Sequence, residues 1–147
     1  MKPMKKTIDV CAAVIRQNGR IWICGRPRNT PLEGYMEFPG GKLEAGESHA
    51  ECLKRELREE LGVEIHVLDC IHVLEHDYGE KYVRVFFYRA FPREDSPEPL
   101  PRESQEFRIV RTADLAAEAM LPADLPLAEL LAESAAGKNV FFQKRRQ

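Results

Sequence analysis

The segment FPGGKLEAGESHAECLKRELREELGV, residues 38–63, constrains the fold more than any other stretch of the chain. It opens on the paired glycines Gly40 and Gly41 and then becomes rich in glutamate. Ser48 and Glu51 make S-x-x-E, the capping-box signature of a helix start, and Gly62 suits a helix end. The pattern predicts a helix from Ser48 to Leu61. At about 100° per residue, Ala50, Leu53, Leu57 and Leu61 share one apolar stripe that would face a core. Glu56, Glu59 and Glu60 are spaced i, i+3, i+4 and fall on an adjacent arc at its edge. Carboxylates so placed repel and raise one another's pKa, a cost that a divalent cation removes. The alternative is a solvated acidic face paired to Lys54, Arg55 and Arg58.

All the candidate ligands are oxygen, with no His or Cys partner at metal spacing. That favours Mg²⁺, with Mn²⁺ as the other option, over Zn²⁺. A hard cation that keeps its waters and takes a few carboxylates also takes substrate phosphates, and it lowers the pKa of an attacking water.

The rest of the chain supplies a sheet for this helix. Ile8 to Arg16 and Arg20 to Cys24 are β-rich runs separated by a Gln17-Asn18-Gly19 turn, so they read as a hairpin. Tyr35 to Phe38 reads as a short strand ending at Pro39-Gly40-Gly41. Val63 to Val73 and Tyr82 to Phe91 read as strands around a turn near Gly79. Pro92 to Glu106 is a Pro-rich charged loop, and Phe107 to Arg111 a last short strand. Ala113 to Met120 and Leu125 to Ser134 read as helices, and Val140, Phe141 and Phe142 are expected to dock on the body. Mixed strands with two or three helices predict an α/β or α+β layered fold. At 147 residues the chain fits one domain spanning 1–147.

A net charge of −2 offers no basic field for polymeric DNA or RNA, so a small ligand is expected instead. No apolar run approaches the roughly 18 residues of a membrane span. The start MKPMKKTIDV lacks a secretory h-region, and Cys11, Cys24, Cys52 and Cys70 show no CxxC spacing. Reduced thiols in a cytoplasmic protein, monomer or homodimer, are expected.

Gly41, five residues, Glu47, seven residues, then Arg55-Glu56-Leu57-Arg58-Glu59-Glu60-Leu61-Gly62-Val63 match the Nudix box at every position, over residues 41–63. At roughly 7% per fixed residue such a match arises by chance about once in 10⁸ registers. The chain resembles the Nudix hydrolases, and EFPGGKLEAGE with the late L-P-A-D-L-P resembles their MutT-like branch. The resemblance implies an αβα sandwich with a mixed central sheet, and hydrolysis of a nucleoside diphosphate linked to another group. By position it assigns metal binding to the Gly40 carbonyl, Glu56, Glu59 and Glu60. Glu47 and Arg55 look like the pair that fixes the loop to the helix, and Lys42 is a candidate phosphate contact. Glu103 falls where MutT-like enzymes place a loop carboxylate, as a further metal ligand or general base, with Glu106 as its rival and Glu59 as the second candidate base. Glu56, Glu59, Glu103 and Arg55 therefore make up the expected catalytic set. Arg26 and Phe38 are expected near the nucleotide, Tyr78 near the base or sugar, and Lys81 near phosphate. Each has a plainer reading: core for Phe38, strand-end packing for Tyr78, a solvated charge for Arg26 and Glu103.

Asp124 is the most informative departure. The bacterial enzyme that removes 8-oxo-dGTP has an asparagine in the matching P-A-N, where this chain has Pro122-Ala123-Asp124. An ionised aspartate only accepts hydrogen bonds, so it reads oxidised guanine through donors alone, or by being protonated. The P-A-D form resembles a relative active on cytidine triphosphates, and Asp124 could also be a plain N-cap. Met36, where many relatives carry tryptophan, is a packing change. The expected activity is Mg²⁺-dependent hydrolysis of a (deoxy)nucleoside triphosphate, 8-oxo-dGTP first, to the monophosphate and pyrophosphate. CTP or a modified cytidine triphosphate is the alternative substrate. Dinucleoside polyphosphates and a non-catalytic ligand sensor rank lower.

Overall fold

The computed structural model describes residues 5–137, and the expectation for Val140, Phe141 and Phe142 lies outside them. β1 (Lys6–Gln17) and β2 (Arg20–Gly25) form the expected hairpin, with Gln17 opposite Arg20. Asn18 (φ 52°) and Gly19 (φ 74°) are both left-handed, as a tight two-residue turn between right-twisted strands requires. β3 (Met36–Glu37) and β4 (Gly40–Lys42) follow, then α1 (His49–Leu61), β5 (Ile65–Asp77), β6 (Lys81–Pro92), β7 (Phe107–Arg111) and α2 (Leu125–Ala135).

Two elements differ from expectation. The Gly40-Gly41 turn is strand β4, which pairs with Val10 to Ala12 of β1. Gly40 sits at φ 155° against the Cys11 carbonyl, a contact that no β-carbon would allow. The expected helix over 113–120 is only a 3₁₀ turn, Thr112–Ala117. Beyond it the backbone is drawn out to β3: Met36 N–H donates to Ala119 O and Leu121 N–H to Met36 O, both at 2.8 Å. Pairing with a strand wins over local helix propensity here.

The seven strands form one mixed sheet in the order β3-β2-β1-β6-β5, with β4 also on β1 and β7 on β2. β1 and β6 run parallel, and the other pairs are antiparallel. Alternation along β1 divides the core in two. Cys11, Ala13 and Ile15 pack with Leu53, Leu57 and Leu61 of α1. Ala12 and Val14 pack with Leu127, Ala128 and Leu131 of α2. The result is an α+β sandwich with the sheet between α1 and α2. Burying each α1 leucine contributes about 1.5–3 kcal/mol, and this fixes the helix against β1. Cys52, rather than the half-buried Ala50, completes the apolar stripe.

Candidate active site

α1 begins as its sequence dictates. Ser48 accepts the Glu51 N–H, Glu51 accepts the Ser48 N–H, and Gly62 ends the helix at φ 70°. The loop from Lys42 to Glu47 is tied to the helix by Arg55. Its Nε and Nη2 donate to the two Glu47 oxygens at 2.6 and 2.9 Å, and Nη2 also reaches Lys42 O at 3.1 Å. Nη1 donates to Glu56 at 2.8 Å and Glu59 at 3.2 Å. The Arg55 hydrogen bonds, with the Glu44 backbone N–H, hold the Glu47 carboxyl down to about 2. Arg55 is thus a hub that arrays other side chains, with each of its nitrogens turned toward protein.

The three helix acids are not an even row. Glu56 and Glu60 lie one turn apart on α1, and both are partly buried. Burial raises Glu56, and it raises Glu60 well above the ordinary range, with Glu56, Glu37 and Glu103 adding repulsion. Glu59 is 52% exposed and reaches back to Arg55. The Glu56 carboxylate lies over Gly41, filling the place a side chain there would take.

Among the described residues, no group of three or more His, Cys, Asp or Glu side chains is already arranged around one point as a metal site. The chemistry of the donors still fits a divalent cation. Glu56 and Glu60 are two partly desolvated carboxylates that could pair with each other only by sharing a proton, and a hard cation can replace that proton. Glu56 and Glu60 would hold it, with Glu59, Glu103 and the Gly40 carbonyl as the further candidates.

The Pro-rich loop closes over the end of α1. Leu100 N–H donates to Leu61 O at 3.0 Å and Arg102 N–H to Glu60 O at 2.9 Å, satisfying carbonyls the helix leaves open. Glu103 follows, close enough to raise Glu60 and Cys24 electrostatically. Its rival Glu106 is exposed, as Glu103 is, and is ion-paired to Arg108 at 3.0 Å.

Phe38, Tyr78 and Asp124 are brought together, and the role expected of the Phe38 ring is corrected. Phe38 offers no stacking face: it is 2% exposed and packs edge-on against Phe87. Its backbone N–H donates to Asp124 Oδ2 at 3.1 Å. Asp124 makes no side-chain cap on α2, so the N-cap reading fails as well. Burial, then Glu37, pushes the Asp124 carboxyl up to about 8. The Tyr78 hydroxyl accepts the Ala123 N–H at 3.2 Å and thereby anchors the Pro122-Ala123-Asp124 turn, while its ring packs on His76. Met36 is buried and carries the hydrogen bonds that bring this turn to β3.

Sequence reasoning missed Glu37. Strand alternation puts Met36 and Phe38 into the core and turns Glu37 to the opposite side, where burial raises it and Arg26 Nη1, at 3.4 Å, opposes that rise. It raises Glu60 and Asp124 alike electrostatically. The signal was a lone acid between apolar residues in Met36-Glu37-Phe38. Arg26 also donates to Pro31 O and lines a cleft of about 390 Å³ with Arg28, Tyr35, Gln105 and Glu106. The Lys42 side chain is exposed, and Lys81 starts β6 beside Lys6.

A family profile described as the NUDIX domain matches residues 5–133. An 8-oxo-dGTP diphosphatase of Haemophilus influenzae is 36% identical over 124 residues, covering 84% of this chain and 90% of the relative. A CTP pyrophosphohydrolase of Escherichia coli is 36% identical over 125 residues, covering 84% and 90%. The solution structure of the E. coli ORF135 protein superposes with a TM-score of 0.74 at 31% identity, covering 92% of this chain and 97% of that one.

Proposed function

The chain belongs to the NUDIX domain family and is a Nudix pyrophosphohydrolase, and from that premise we propose that it is a divalent-metal-dependent hydrolase of nucleoside triphosphates, acting first on 8-oxo-dGTP. The observation that carries the reaction is the Glu56–Glu60 pair: burial raises both carboxyls, Glu56 raises Glu60 further, and the Glu56 carboxylate lies over Gly41. Such a pair is costly to ionise in a free fold; Arg55 offsets part of that cost at Glu56, and a cation held by both carboxylates would offset more of it.

When bound, Mg²⁺ or Mn²⁺ supplies charge neutralisation for the phosphoryl oxygens and makes water acidic enough to attack. Glu56 and Glu60 would hold the cation, and Arg55 and Glu47 keep the helix in register with the glycine loop. Glu103 or Glu59 takes the proton of the attacking water. The products are a nucleoside monophosphate and pyrophosphate.

The substrate reading rests on Asp124. With its carboxyl pushed up to about 8 it is protonated at neutral pH, and it then offers one donor beside one acceptor. That is the hydrogen-bonding pattern of the asparagine amide it replaces, so a neutral Asp124 supports recognition of oxidised guanine. A neutral carboxyl can equally pair with the N3 and amine edge of cytosine. The E. coli relative named a CTP pyrophosphohydrolase keeps that second reading in play.

Initial rates with Mg²⁺ on equal concentrations of 8-oxo-dGTP, dGTP, CTP and 5-methyl-dCTP decide between them. Preference for 8-oxo-dGTP over dGTP supports the first reading, and preference for the cytidine nucleotides replaces it with the second. No Mg²⁺-dependent turnover on any of the four overturns both.

A further inference from the structure

We propose that Gln105 is a positioning residue that sets Glu103 against the acid pair of α1. The inference rests on the metal-dependent reading above and adds a residue to it.

Gln105 is one of the few buried polar side chains, at 6% exposure, and both ends of its amide are used. Oε1 accepts the Glu103 backbone N–H at 2.7 Å, and Nε2 donates to the Glu60 carbonyl at 2.9 Å. One amide therefore connects the backbone of the loop acid to the backbone of a helix acid. The Glu60 carbonyl also receives the Arg102 N–H at 2.9 Å, so residues on both sides of Glu103 converge on the same oxygen. Between Glu103 and Gln105, Ser104 takes a left-handed φ of 60°. A non-glycine residue rarely adopts that conformation unless surrounding bonds impose it.

A loop cap on α1 would need only the Leu100 and Arg102 amides. Gln105 adds nothing to the cap that Arg102 does not already supply. What it adds is a link between the backbones of Glu103 and Glu60 through a buried amide bonded at both ends. Side chains that orient ligands from behind commonly change metal affinity or turnover by about 10- to 100-fold when removed.

The test uses Gln105→Met, which keeps length and packing and removes both hydrogen bonds. Mn²⁺ affinity is read by electron paramagnetic resonance without nucleotide. Separately, kcat and KM are measured with Mg²⁺ in wild type, Q105M, E103Q and the double variant. The expected result is Mn²⁺ binding and kcat each weakened about 10-fold or more, with KM changed far less. In the E103Q background Q105M should add nothing, because its effect passes through Glu103. Unchanged Mn²⁺ affinity and kcat would overturn the proposal. An equal fractional loss with and without Glu103 would do the same, by marking Gln105 as a general fold support. If Q105M does not fold, Gln105→Glu replaces it: it keeps the acceptor for Glu103 and loses the donor to Glu60, and the same pattern is expected. A wild type without Mg²⁺-dependent turnover would sink the proposed reaction, while the Mn²⁺ measurement would still decide the role of Gln105.

Discussion

Asp124 Oδ2 accepts the backbone N–H of Phe38 at 3.1 Å, joining residues 86 positions apart in sequence. The bond ties the start of α2 to the strand that leads into the glycine loop, and it buries an acid among apolar neighbours. The Asp124 carboxyl rises from 3.8 to about 8 on folding. A raised carboxyl binds its proton more tightly in the folded state, so its stability contribution is full below 3.8 and is lost by about 8. Asp124→Asn keeps the acceptor and removes the titration. Thermal unfolding should therefore show wild type losing stability as the pH rises from 3.8 to about 8 and the variant losing clearly less. Parallel curves would contradict the burial argument.

Arg55 and Glu47 predict the opposite sign. The Glu47 carboxyl is held down at about 2, so its stabilising effect is present above the ordinary 4.5 and disappears as the pH falls toward 2. Arg55→Lys keeps the charge but loses the fork that serves Glu47, Glu56, Glu59 and the Lys42 carbonyl together. The acid-unfolding midpoint, followed by circular dichroism, should move to higher pH. Turnover at neutral pH should fall about 10-fold or more. An unmoved acid midpoint would show that the loop is held by other bonds.

Adjacent glycines should fail in different ways. Gly40 combines φ 155° with close approach to the Cys11 carbonyl, so Gly40→Ala should cost at least about 1–3 kcal/mol of stability. The three atoms nearest a β-carbon at Gly41 all belong to the Glu56 carboxylate, a side-chain end rather than backbone. Gly41→Ala should leave the melting temperature within a few degrees and lower turnover sharply, by displacing Glu56. Urea unfolding and initial rates on both variants check the contrast, and equal stability losses would refute it.

The sequence showed α1 almost to the residue, because a capping box, an apolar stripe and a terminal glycine all agreed there. It showed the β1–β2 hairpin for the same reason, since Asn18-Gly19 admits few other turns. It failed where a distant partner decides. β4 exists because β1 lies beside Gly40 and Gly41, and the helix expected at 113–120 stops because Met36 takes the following backbone. Within the candidate site, family spacing singled out Glu56, Glu60 and Glu103, and the structure sets Glu56 and Glu60 on one partly buried edge of α1. That Glu59 turns outward and that the Phe38 ring is core are products of packing, and the burial of Glu37 beside Arg26 is hinted at locally only by a lone acid between apolar residues.

The acid pair gives the sharpest stability test. Glu60 is raised well above 4.5 by burial and then by Glu56, and Glu56 is itself raised by burial. In the metal-free protein both groups favour the folded state most below the ordinary glutamate range, and that advantage drains away as the pH climbs. A cation that binds only the folded, ionised pair should offset the loss, so the melting-temperature gain from Mg²⁺ should be small at pH 5 and larger at pH 8. Glu60→Gln removes one buried charge and leaves an amide that can donate to Glu56. The metal-free variant should therefore melt at or above the wild-type temperature at pH 8, gain little from Mg²⁺, and lose turnover by about 100-fold or more. Calorimetric scans at the two pH values, with and without Mg²⁺, measure this. A variant that melts lower than wild type without metal would mean that the pair is a structural hydrogen bond, and the cation site would then have to be sought elsewhere.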